Sequence, residues 1–119
     1  MLNNRLSILM QQRAQWLSAK TQLTVENIAN SDMKSAKRKE ISPFVSILQR
    51  SNYARTNTGK LLNDVKNFRI KKEDIITTKE EISREQEMML LTRATADHDG
   101  LMSIIKKFHQ MYRAVLSKS

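Results

Sequence analysis

A chain of 119 residues that is 39% apolar, with one tryptophan, three phenylalanines and no cysteine, has room for a single domain with a thin core and for neither disulfides nor a thiolate metal site. Two glycines and one proline are too few turn formers for an all-β fold, which leaves a mostly helical chain. The net charge of +9 is uneven: residues 1–32 carry three bases and two acids (+1), residues 33–78 eleven and four (+7), and residues 79–119 seven and six (+1).

The opening stretch, MLNNRLSILMQQRAQW, interrupts its apolar residues with Asn, Arg, Ser and Gln before a signal-peptide core can develop. Nowhere do about 18 apolar residues run together, so no bilayer span is expected. The expectation is a chain that stays in the cytosol or leaves by a route needing no cleaved signal. From Leu2 to Ile28 the apolar residues recur at helical spacing. Leu6, Met10, Ala14, Leu17, Val25 and Ile28 form one stripe with Thr21 in its gap, and Leu2, Leu9, Trp16 and Leu23 form a second at intervals of seven. Together they cover roughly 200° of the wheel, about twice what a surface helix needs, so this helix should touch more than one neighbour.

The helix runs into NIANSD at residues 27–32. Two readings are open. Asn and Asp tolerate non-helical backbone and can simply end the helix. Alternatively Asn27 and Asn30, at i and i+3 on one face with small Ala29 between, could bond an adjoining backbone and lock the junction between helix and connector.

Residues 33–78 lose periodicity and are rich in Lys, Asn, Ser and Thr, with Pro43 and Gly59 as breakers. A short helix around 44–49 fits, and FRIKKEDII could pair as a strand or pack as a flap. The stretch is expected to be poorly ordered in isolation, since so little apolar surface cannot offset its conformational entropy. A second long helix is expected from about Glu80 to Leu116, with Thr78 as cap and Glu81 completing a capping box. Leu91, His98, Ile105 and Tyr112 take one heptad position, and Ala94, Leu101, Phe108 and Val115 the other. The fold class expected is therefore all-α: two long helices, at 1–32 and 79–119, joined by the basic connector 33–78. Two helices cannot bury such broad apolar faces on each other alone, which argues for a subunit of an assembly.

Other functions find weaker footing. KSAKRKE and KNFRIKK could hold phosphates, making a small basic nucleic-acid binder the alternative, but neither long helix carries a dense basic stripe. The connector's charges read as a solvated linker, or as facing acidic neighbours or anionic lipid headgroups. In ADHDG at 96–100, consecutive helical residues diverge by about 100°, so Asp97, His98 and Asp99 converge on no ion. His98 reads as a register-setting polar residue on the seam. No catalytic, cofactor or metal site and no small-molecule substrate is expected. A helical adaptor or export chaperone keeps the architecture, but such a chaperone is more often acidic.

LSAKTQLTVENIANSD resembles the N-terminal signature of the bacterial flagellar axial proteins, the rod, hook and hook-associated subunits. The short length, EISPF soon after the motif, ARTNTGKL at 54–61 and the C-terminal EQEMMLLTRATADHDGLMSIIKKFHQMYRAVLSKS are similar to the FlgB-type proximal-rod branch. Where rod proteins usually continue with Thr-Pro-Gly-Tyr, this chain has Met33, Lys34, Ser35 and Ala36. The resemblance implies a structural subunit whose two long helices pack antiparallel like a coiled coil, residues 1–32 and 79–119 forming one domain, and which is exported without cleavage and built into the periplasmic rod of the basal body through its terminal helices. Its neighbours would be copies of itself, other rod proteins, a FliE-type adaptor, and the MS ring and export gate. Under this reading Leu9, Trp16, Leu23 and Ile28 of the first helix and Leu101, Ile105, Phe108, Tyr112 and Val115 of the second are the assembly interface, and Asn27, Asn30 and Asp32 the junction.

Overall fold

The structure, a computed structural model, describes residues 2–58 and 68–117, with side chains from Arg5 to Ser51 and from Phe68 to Ser117. Gly59 and the end of ARTNTGKL, like the Lys66 and Asn67 that open KNFRIKK, lie outside the described residues. In chain order the elements are α1 (Leu2–Ala29), β1 (Lys37–Ile41), α2 (Phe44–Thr58), a 3-10 turn (Lys72–Asp74) leading into β2 (Ile75–Glu81), and α3 (Arg84–Ser117). The chain is thus mostly helical with a small two-stranded antiparallel sheet.

α1 and α3 run antiparallel. Asn27 meets Glu87, Thr21 and Ser18 lie beside His98, and Leu17 and Arg13 lie beside Leu101 and Ile104, so one number rises as the other falls. The heptad residues of α3 face α1: Ala94 and Ile105 are buried, and Leu91, His98, Leu101 and Phe108 half-buried. α1 also packs on β1 and, through Trp16 and Leu17, on Phe44 and Ile47 of α2, in keeping with its broad apolar arc. The whole measures 61 × 35 × 15 Å.

α1 stops where the motif begins to turn. The Asn30 N–H donates to both Glu26 and Asn27 carbonyls (3.1 and 3.2 Å), and Ser31 N to Ile28 O, before further turns at Met33 and Ala36 redirect the chain into β1. β1 and β2 pair with Lys39 opposite Thr77, Glu40 opposite Ile76 and Ile41 opposite Ile75, with an irregularity between Lys37 and Lys39. α2 starts on Pro43, whose carbonyl accepts from Ser46 and Ile47. Proline suits that place, because the N–H it lacks would have no partner there.

Two expectations need correction. The connector is not a loose tether: within it 37–41, 44–58 and 72–78 take regular structure. Its apolar residues are few, but Ile41, Phe44, Ile47, Leu48, Phe68 and Ile70 all converge on Trp16 and Leu17 to form the core. A small core suffices when the apolar residues that flank and open α2 converge on one tryptophan. The second long helix starts at Arg84, not near Glu80. Thr78 and Glu81 lie in β2, and the Thr78 hydroxyl donates to the Arg38 carbonyl of β1 at 2.9 Å. The cap is Ser83: its Oγ accepts from Gln86 N at 3.5 Å and its carbonyl from Glu87 N at 2.9 Å, the place a Ser-x-x-Gln sequence fills.

Candidate assembly site

Asn27 is the pivot between the three layers. It is 3% exposed, and its side-chain amide behaves as a short piece of β-strand. Its Nδ2 donates to Lys39 O at 2.9 Å and its Oδ1 accepts from Lys39 N at 3.0 Å, so one side chain satisfies both groups on the outer edge of β1. The same Nδ2 reaches Glu87 Oε2 on the first turn of α3 at 3.3 Å. Both of its acceptors lie on one side and the Lys39 N–H on the other, which fixes the amide's orientation. Only Asn or Gln carries a donor and an acceptor side by side for this, and at this spacing Gln is one carbon too long.

Glu87 is 1% exposed, and a buried carboxylate needs its lone pairs filled. Arg38 Nε supplies a bond to Oε1 at 2.7 Å, and the Arg38 guanidinium also pairs with Glu40. Burial alone would lower the Arg38 pKa, but the hydrogen bonds to Glu87 and Glu40 outweigh it and hold the guanidinium above its ordinary value. A second ion pair braces the far side of the core. Arg50 of α2 clasps the buried Asp74 through both guanidinium nitrogens and also donates to Arg69 O at 2.8 Å, while Lys71 N donates to Asp74 Oδ2 at 2.7 Å. Burial pushes the Asp74 carboxyl up, yet Arg50 and the Lys71 amide prevail and hold it below the usual carboxylate range.

Trp16 sits between these clasps. Its indole N–H donates to Ser42 O at 2.8 Å, its ring packs on Phe44 with centroids 6.2 Å apart, and Arg13 and Lys20 lie over it at 4.6 and 5.0 Å. Beside it a cleft of about 370 Å³ opens between Leu23, Lys39, Ile41 and Leu90.

The residues expected to form the assembly interface divide by depth. Trp16, Leu23 and Ile105 are buried within the chain. Ile28, Leu101 and Phe108 are half-buried. Leu9, Tyr112 and Val115 are exposed, with Val115 68% accessible. Of the junction residues, Asn27 makes the bonds above, whereas Asn30 and Asp32 are exposed on the turn.

The residues that sequence reading missed are the partners, Glu87, Arg38 and Ser42. Glu87 did leave a signal: it lies seven before Ala94, so it puts a charge on a heptad position. For Lys39 and Ser42, whose backbone atoms do the bonding, no side-chain pattern exists to read.

ADHDG lies within α3, which runs unbroken through Gly100, and Phe68 is buried at 2%, so that ring is closed to a base. Among the described residues no group of three His, Asp or Glu side chains could hold a metal ion. No helix of the described residues is long and apolar enough to cross a membrane. No family model, curated protein or solved structure matches the chain.

Proposed function

We propose that the chain is a structural subunit of the bacterial flagellar proximal rod, of FlgB type, which assembles through the ends of its two long helices with copies of itself and with other rod proteins. The observation that carries the reading is the mismatch between the two helices and their cover. The seam of α3 continues through Tyr112 and Val115 after the core has ended, and it meets solvent there, as Leu6 and Leu9 do on α1. The motif that suggested the family also acquires a physical task here. Asn27 holds the helix end to the following strand, so a subunit can present its helices at a fixed angle to the middle segment.

Because the sequence has no cysteine, single cysteines report cleanly. Leu9→Cys and Tyr112→Cys, introduced into the producing bacterium, should yield disulfide or bifunctional cross-links from this chain to another rod subunit in isolated basal bodies. Basal bodies that lack the chain, together with unimpaired swimming after its deletion, would overturn the assignment.

A further inference from the structure

The helical end that lies away from the sheet has an unusual charge. Between them, residues 2–13 and 100–117 hold five bases (Arg5, Arg13, Lys106, Lys107 and Arg113) and no acidic side chain. This same end bears exposed apolar side chains: Ile104 at 56%, and Met111 and Val115 at 68% each.

Charge and oil are segregated on α3. At roughly 100° per residue, Ile104, Phe108, Met111 and Val115 fall within about 60° of one another, beside the Leu101 and Ile105 that face α1. Lys107 stands at the border of this stripe away from α1. That is where long basic side chains can lay their methylenes on an apolar surface while their heads reach a polar one.

We infer that the bare α1/α3 end of the unassembled subunit docks, lying flat, on an anionic lipid surface. Apolar side chains enter the headgroup boundary and Lys107 meets the phosphates, while Arg5, Arg13, Lys106 and Arg113 add to the positive field of this end. A bilayer suits this end better than nucleic acid, because phosphate backbones offer nothing to Ile104, Met111 and Val115. It suits better than the same end of a second copy, since two such ends face to face would bring like charges together; copies in the proposed rod would meet this end with a different face. The inference concerns the free chain and stands whether or not the rod assignment holds; in an assembly, neighbouring helices would take the place of lipid.

The test is sedimentation of the full chain with vesicles of phosphatidylcholine alone and of phosphatidylcholine with phosphatidylglycerol, at low and high salt. Binding is expected to the anionic vesicles only, and to weaken with salt. The double variants Lys107→Glu/Arg113→Glu and Met111→Glu/Val115→Glu should each reduce it by about tenfold or more, with Trp16 fluorescence and helical content unchanged because none of these side chains belongs to the core. Equal binding to neutral vesicles, or no binding to anionic ones, would overturn the inference. So would full binding by Met111→Glu/Val115→Glu, which would reduce the effect to charge alone, or binding to short duplex DNA in preference to vesicles.

Discussion

Replacing Asn27 by Ala tests whether the motif works as a clasp. The change deletes three hydrogen bonds, two to Lys39 and one to Glu87. It leaves an almost fully buried carboxylate one donor short and two backbone groups of β1 without their partner. Net hydrogen bonds are worth about 1 kcal/mol each, and a buried group left unmade costs about 1–3. Because Lys39 is exposed, water can recover part of its share, so the expected loss is about 2–4 kcal/mol. Urea unfolding followed by Trp16 fluorescence measures it, and hydrogen exchange at the Lys39 amide locates it. Asn30→Ala is the internal control: that side chain is exposed, so it should stay within about 0.5 kcal/mol. Asn27→Asp sharpens the case. A carboxylate there could still accept from Lys39 N, but it would turn an oxygen on Lys39 O and on Glu87 Oε2, now 3.3 Å from Nδ2. It should be worse than Ala at neutral pH and recover on acidification, as the new carboxylate protonates. A loss below about 0.5 kcal/mol for Asn27→Ala, or equal costs at positions 27 and 30, would show that the residue merely ends the helix.

Trp16→Ala should cost about 3–5 kcal/mol through the emptied core, and therefore abolish folding before assembly can be judged; Trp16→Phe, keeping a ring against Phe44 but losing the bond to Ser42 O, should cost about 1 kcal/mol in urea unfolding followed by helical circular dichroism, because the change removes the only tryptophan. For the Arg50–Asp74 clasp the sign follows from the depressed carboxyl: the unfolded chain binds the proton more readily, so the clasp stabilises the fold above the ordinary carboxylate pKa of about 3.9. That contribution should fade as pH falls through the lower folded-state value, and Asp74→Asn should flatten this acid limb of the stability curve while lowering stability at pH 7.

The two long helices were legible because their signal repeats: a 28-residue and a 34-residue helix each show their apolar stripes several times over. The heptad positions of α3 mark the face that meets α1, while the antiparallel sense came from the family resemblance alone. The sheet was not legible, for a physical reason. KRKEI and IITTKEE alternate only weakly, since most of their side chains are exposed, and strands that bury little on either face have no pattern to display. They are held by groups from far along the chain: Asn27 on one edge, Thr78 across the pair, Glu87 against Arg38. Thr78-x-x-Glu81 and Ser83-x-x-Gln86 are rival starts for α3 only five residues apart. Pairing with β1 occupies the first, so the helix uses the second, and that choice is tertiary.

The last two turns of α3 bury none of their side chains. Helical turns without a buried side chain gain little from propensity alone, and ordering each residue costs about 1–2 kcal/mol of backbone entropy. Scattered exposed apolar residues are ordinary on any surface, so their number decides nothing; their spacing does. Ile104, Phe108, Met111 and Val115 stand at intervals of four, three and four, which continues a helical stripe rather than a random scatter. On the middle segment the opposite holds, for Ile41, Phe44, Ile47, Leu48, Phe68 and Ile70 turn inward to Trp16 and Leu17. One chain thus seals one end of its helical pair and leaves the other open in the same periodic register. The physical account of that asymmetry is a second surface that covers the open end, whether from sister helices or from lipid.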